Sequence, residues 1–276
     1  MGHQAGWRST GLSDLMGTGE RTAWNTDVPD EPAMSDEVGP WCKASGLQTM
    51  LEEGHQRGAV GPGAILDHVR HALGFVEALG GPKTQPTGPS QPTGPTQAQS
   101  QPAAEGNAWP RLLDLGSGGG LPGLVMALYW PDVHLALLDS QRRRTTFLEE
   151  AIDHLALSHR VVVICDRAEA AGRDPLLRGR FDAVVARAFG PPAVTAECGS
   201  PFLRTGGCLV VSEPPVEVAW RWPVRELDCL GLTDGGSDRF WGFGYRRLIQ
   251  AAICPSRYPR RTGVPSKRPL FHVKPH

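Results

Sequence analysis

No apolar run among the 276 residues approaches the ~18 that a membrane span requires. The opening MGHQAGWRSTGLSDL lacks the basic-then-apolar order of a secretory signal, so a soluble, cytoplasmic protein with no membrane contact is expected. The six cysteines, Cys42, Cys165, Cys198, Cys208, Cys229 and Cys254, stand far apart. There is no C-x-x-C pair and no histidine at a ligand spacing, which argues against a disulfide framework or a bound metal. What the chain holds in excess is Gly and Pro, 34 and 25 of its residues, well above the ~12 % average usage of the two. Part of the chain therefore reads as linker.

The net charge of −1 hides an asymmetry between the ends. Residues 1–53 carry nine acids against three bases, whereas residues 255–276 carry six Lys/Arg and no acid. The basic tail, 257–276, reads either as a polyanion contact or as a solvated charged end. Residues 1–60 scatter Gly, Pro, Ser and Asp among single apolar residues and are expected to be disordered. Within 61–80, Ile65, Val69, Leu73, Val76 and Leu79 recur at steps of three and four, which predicts a helix that docks through one apolar stripe. Residues 81–107 form a Pro/Gln/Thr/Gly-rich linker with the near-repeat Gln85-Pro-Thr-Gly-Pro-Ser, Gln91-Pro-Thr-Gly-Pro-Thr.

Residues 108–256 are rhythmic. Short apolar runs at Leu112–Leu115, His134–Leu138, Val161–Cys165, Phe181–Ala186 and Cys208–Val211 alternate with helix-like segments. That order predicts an α/β fold, a mostly parallel sheet with helices on both faces. Leu227–Leu232 and Gly244–Cys254 are expected to add a terminal antiparallel pair.

The run Leu112-Leu-Asp-Leu-Gly-Ser-Gly-Gly-Gly-Leu-Pro-Gly123 places a glycine-rich turn between the first strand and its helix, where open α/β folds bind nucleotides. No Gly-Lys-Ser/Thr follows, which excludes a P-loop. Asp114, at the strand end, suits the ammonium group of S-adenosylmethionine and would be ill placed beside a pyrophosphate. Asp139 ends the second strand, where an acid accepts ribose hydroxyls, and Ala168-Glu169 falls where an adenine edge would be met. Taken singly, each acid reads equally as a cap or a solvated strand end. Their order and spacing favour a bound methyl donor.

Asp114-Leu-Gly-Ser-Gly-Gly-Gly-Leu-Pro-Gly123, Leu137-Leu-Asp-Ser140, Arg167-Ala-Glu169, Phe181-Asp-Ala-Val-Val-Ala-Arg-Ala188 and Tyr258-Pro-Arg-Arg-Thr-Gly-Val-Pro-Ser-Lys-Arg-Pro-Leu270 resemble, in this order, the RsmG (GidB) family. The resemblance implies a class I, Rossmann-like methyltransferase that uses S-adenosyl-L-methionine on N7 of a guanine in 16S ribosomal RNA. It implies cofactor contacts from Gly116, Leu121, Ala168, Glu169 and Arg187, which join Asp114, Ser117, Gly118, Gly120 and Asp139 as the candidate cofactor-binding residues. The expected partner is 16S rRNA or the 30S subunit, met by a monomer. Arg260, Arg261, Lys267 and Arg268 would supply phosphate contacts separable from the cofactor site, with Tyr258 or His272 stacking on a base. Arg187 would meet a carboxylate or phosphate, or else pair with Asp182 or Glu169. No catalytic acid or base is expected, because guanine N7 already presents a lone pair. Two departures stand out: only Asp67-His-Val-Arg-His-Ala72 echoes the family's N-terminal histidine segment, and Glu213-Pro214 replaces a Lys-Gly. A different RNA or small-molecule substrate, or a non-catalytic cofactor-binding module, remain the alternatives.

Overall fold

The computed structural model describes residues 38–81, 110–215 and 221–272. The first 37 residues and most of the expected linker lie outside the described residues. Helices α1 (Val38–Ala44), α2 (Leu47–Gln56) and α3 (Ile65–Ala78) precede strand β1 (Arg111–Leu115). Then follow α4 (Gly123–Tyr129), β2 (His134–Asp139), α5 (Arg142–His154), β3 (Val161–Cys165), α6 (Ala168–Ala171) and β4 (Phe181–Ala186). The chain continues through α7 (Pro192–Gly199), β5 (Leu203–Glu213), α8 (Val224–Asp228), β6 (Leu232–Phe240), β7 (Phe243–Gln250) and α9 (Val264–Lys267).

Among the described residues the strands form one sheet in the order β3-β2-β1-β4-β5-β7-β6. β1 to β5 pair in parallel, and β7 pairs antiparallel with both β5 and β6. The order reverses between β1 and β4, which makes the carboxyl ends of those strands the natural ligand edge. Successive strand residues feed opposite cores: Leu112, Leu135, Leu137, Ala183 and Val185 face one; Leu113, Ala136, Leu138, Val184 and Ala186 face the other. This two-sided burial explains why these strands read as unbroken apolar runs.

Residues 38–60, expected to be disordered, are a correction. Val38, Cys42, Leu47, Met50, Leu51 and Val60 are buried in the same core as α3, α4 and α5. Short helices with a few apolar residues each leave no long period to read. α3 docks beside them through Val69, Leu73 and Val76. Its Gly74 lies so close to β7 that a Cβ there would meet the Tyr245 hydroxyl at 2.1 Å, and that hydroxyl donates to the His71 carbonyl at 2.7 Å. The helix closes in a Schellman turn, with Gly80 N–H on Glu77 O and Gly81 N–H on Val76 O.

The closing antiparallel pair forms as expected, but with other bounds. Leu227 belongs to helix α8, and β6 begins only at Leu232. Its sequence LTDGGSDRF shows no alternation because it is the outermost strand, bulged between Asp234 and Ser237.

Candidate functional site

The glycine turn after β1 is built around Asp114, which is 1 % exposed. Its Oδ2 accepts the Ser117 hydroxyl at 2.7 Å and the Gly123 amide at 2.9 Å. One carboxylate oxygen thus ties the strand end, the turn and the first residue of α4 together. Burial pushes the Asp114 carboxyl up to about 6, against the lowering pull of those two donors. Gly116 and Gly118 take positive φ of 74° and 59°, a backbone that a side chain would strain. The Gly116 and Ser117 amides both donate to Leu138 O, and the Gly118 amide donates to Asp139 Oδ2 at 3.0 Å. Asp139 Oδ1 accepts the Gln141 amide at 2.8 Å, so the acid ending β2 is held by the turn it faces.

A pocket of about 240 Å³ opens at this edge, lined by Gly116, Asp139, Ala168 and Glu169 among the residues expected to contact a cofactor. Arg144, Phe189, Val194, Cys198 and Ser266 complete much of its wall. Four expected contacts stand behind it instead. Asp114 and Ser117 brace the turn, while Gly120 and Leu121 lie in its packed base, where a Cβ on Gly120 would meet Leu124 at 2.3 Å. Gly118 reaches the pocket's acid only through its amide. Cys198 is buried and lies against the pocket as well. Burial among acids pushes its thiol far up, so it remains an inert wall.

Arg187 follows β4 and reaches His68 on α3, near enough to Asp114 for the two charges to interact. Its Nη2 lies 2.6 Å from His68 Nδ1, and its buried Nη1 has no hydrogen-bond partner among the described residues. Neither expected ion pair forms. Asp182 is held by the Arg111 amide and by Arg204, and Glu169 accepts the Gly263 amide at 2.8 Å.

That last bond belongs to the C-terminal segment, whose placement corrects a second expectation. Residues 255–272 fold back over α6 and α7 rather than extending as a separate arm. Arg178 donates to Tyr258 O, Cys254 O and Pro255 O, and Tyr258, expected to stack on a base, is buried. Arg260, expected to contact RNA, grips Glu197 through Nε and Nη2 at 2.9 and 2.6 Å, and Glu197 is wholly buried. Its guanidinium is thus engaged by a buried carboxylate through two of its nitrogens. Arg261, Lys267 and Arg268 stay exposed, and Ser266 beside them lines the pocket.

The carboxylate at Glu213 also loses its apparent conflict with an anionic partner. It accepts Trp222 Nε1 at 2.7 Å and pairs with Arg221 at 2.8 Å.

Comparison with known proteins adds an independent observation. The family described as "GidB: rRNA small subunit methyltransferase G" matches residues 100–213. A protein of Dictyoglomus thermophilum named ribosomal RNA small subunit methyltransferase G is 34% identical over 168 residues, covering 58% of this chain and 69% of that one. This chain belongs to that family. Namesakes from Prochlorococcus marinus and Moorella thermoacetica are 36% and 35% identical, each over 58% of this chain and over 67% and 69% of theirs. Family membership agrees with the sheet order and with the glycine turn, pocket and paired acids at its edge.

The residues that bring the pocket together were legible only in part. Gly116, Asp139 and Glu169 follow their strands in order. Ser266 comes from the far end of the chain, and His68 reaches Arg187 across 119 residues. No spacing rule finds such a pair.

Proposed function

We propose that this methyltransferase G family member transfers a methyl group from S-adenosylmethionine to N7 of a guanine in small-subunit ribosomal RNA, acting in the cytoplasm on the RNA or the 30S subunit. The observation that carries the reading is the pocket at the β1–β4 edge, where Asp139 and Glu169 flank the glycine turn in a family of ribosomal RNA methyltransferases. The residues fit the cofactor. Asp139 suits the ribose hydroxyls, Ala168 and Glu169 the adenine edge, and Gly116 brings bare backbone to the ligand. The unpartnered Arg187 Nη1, within electrostatic reach of Asp114 behind the glycine turn, suits the carboxylate of the methionine end, a charge-assisted pairing. Bound there, S-adenosylmethionine supplies an electrophilic methyl on a sulfonium.

Nothing in the chain needs to remove a proton, since guanine N7 carries an in-plane lone pair. The protein's task is to fix that nitrogen against the methyl carbon, and such alignment is worth up to ~7–11 kcal/mol in favourable cases. Exposed Arg261, Lys267 and Arg268 beside the pocket mouth position the RNA backbone without reading its bases. A monomer suffices for this arrangement.

Mass spectrometry of nucleosides from small-subunit RNA of cells with and without the gene tests the reading. One 7-methylguanosine is expected to vanish on deletion and to return with purified protein and cofactor. An unchanged level would refute the guanine assignment, and failure of S-adenosylhomocysteine to bind would refute the site itself.

A further inference from the structure

We propose that His68 is a positioning residue for Arg187: as the neutral Nε2–H tautomer it offers its Nδ1 lone pair to the guanidinium and aims Nη1 at the acidic end of the methyl donor. The proposal rests on the reading of the pocket just given and adds to it a residue from a helix outside the parallel sheet.

The tautomer follows from its two partners. A guanidinium only donates, so the 2.6 Å contact with Arg187 Nη2 makes His68 Nδ1 an acceptor. The other ring nitrogen lies 3.1 Å from Gly61 O, which only accepts, so Nε2 carries the proton. Both contacts require the same neutral imidazole. Burial weighs against the Arg187 charge, with Tyr245 and Asp114 offsetting part of it, and the hydrogen bond to His68 is what fixes its direction. One neutral acceptor orients it without cancelling that charge, which leaves Nη1 available to an anion.

Acid should release the device. Protonated, His68 would present N–H to N–H against Arg187, and burial and Arg187 already hold its pKa below the ordinary 6.5. The groups facing the pair are Asp67 and His71 on α3, Asp114 on β1 and Tyr245 on β7. Burial pushes Asp114 up to about 6, so part of any acid loss of affinity is its own. A variant at position 68 separates the two contributions.

The test is titration of the full chain with S-adenosylhomocysteine from about pH 8 to about pH 5.5, a range that spans ordinary histidine titration. His68→Ala is expected to weaken binding about tenfold at the alkaline end, the loss of one hydrogen bond to a charged group. His68→Asn, whose amide oxygen can stand where Nδ1 stood but cannot titrate, should recover most of that loss and flatten the acid limb relative to wild type. A merely structural histidine would show neither the rescue nor the altered limb. The proposal is overturned if His68→Ala binds like wild type while Arg187→Ala binds weakly, or if the wild-type and His68→Asn profiles superimpose. Should Arg187→Ala itself bind like wild type, the placement of the methionine end is wrong, and the role of His68 falls with it.

Discussion

The N-terminal helices and the C-terminal segment reach the same edge of the sheet from its opposite faces, and different chemistry holds each. On the first face α1 to α3 settle through apolar side chains, with Val60 and the backbone of Ala59 pressed so close to the glycine turn that a Cβ on Gly119 would stand 2.6 to 2.8 Å from them. Their polar links at the site involve no carboxylate: His68 accepts from Arg187 and Tyr245 donates to the His71 carbonyl, with the Arg57–Glu150 ion pair farther out. On the second face the segment is held by guanidinium groups. Arg178 and Arg173 bind its carbonyls, and Arg260 binds buried Glu197. One side is thus expected to yield to acid and the other to loss of a single charge.

Removal of the second side has the largest expected effect. Truncation after Pro255 strips Ser266 from the pocket, the Gly263 amide from Glu169 and buried Tyr258 and Phe271 from the core. At ~1.5–3 kcal/mol for each large buried side chain, stability should fall by roughly 5 kcal/mol, and S-adenosylhomocysteine affinity should fall at least about tenfold. The sequence alone suggested that such a truncation spares the cofactor site. Calorimetric titration at low temperature, where the truncated chain remains folded, decides the matter: unchanged affinity would mean that the segment only borders the pocket.

Arg260→Ala probes the same side with one atom group. It leaves Glu197, 0 % exposed, with the Arg260 backbone amide as its remaining donor. Breaking a buried pair costs ~3–5 kcal/mol, and because the arginine side chain is itself 27% exposed, about 3 kcal/mol is expected. Thermal melts should show it as a drop of many degrees, with partial recovery in Arg260→Lys. A shift of a degree or less would show that the segment docks without its ion pair.

The first side is tested by acid through His71, which stacks on Phe243 at 4.4 Å and leaves Nε2 buried without a partner. Burial lowers its pKa from 6.5 to about 4. Below pH 6.5 the unfolded chain therefore takes up a proton that the folded chain refuses, and stability falls as pH drops toward about 4. Asp114, raised from 3.8 to about 6, acts in the opposite sense across part of that window. The measurement is accordingly a difference. His71→Phe keeps the stacking and lacks the titration, so its melting temperature relative to wild type should rise as pH falls, by the equivalent of ~1–2 kcal/mol after solvent screening. A constant difference across pH would remove His71 from the account.

These contrasts also explain what the sequence could and could not convey. β1 to β5 were legible because burial on both faces leaves unbroken runs such as Leu135–Leu138, and Gly116, Asp139 and Glu169 were legible because each follows its strand. The two flanking segments were not. Trp41, Cys42, Leu47 and Met50 are apolar residues on helices of seven and ten residues, too short for a period to declare itself. The pairs that complete the site span 119 residues for His68 and Arg187 and 63 for Glu197 and Arg260. Such pairs follow from topology, which brings α3 and the segment 255–272 to one edge. A basic tail likewise reads the same in sequence whether its arginines face solvent or a buried carboxylate.

The smallest expected effect separates the two uses of that tail. Lys267 and Arg268 are exposed next to pocket-lining Ser266, whereas Arg260 is engaged with Glu197. Each phosphate contact by a cation contributes about 0.7–0.9 to the slope of log affinity against log salt. The double substitution Lys267→Gln with Arg268→Gln should therefore lower the slope for small-subunit RNA by about 1.5 while stability stays within about 0.5 kcal/mol, as surface changes do. Arg260→Gln should do the reverse, costing stability with no change in slope beyond what the loosened segment brings. If both variants moved the slope equally, Arg260 would have to leave Glu197 when RNA arrives, and the docked segment would be one of two states rather than a fixed wall of the pocket.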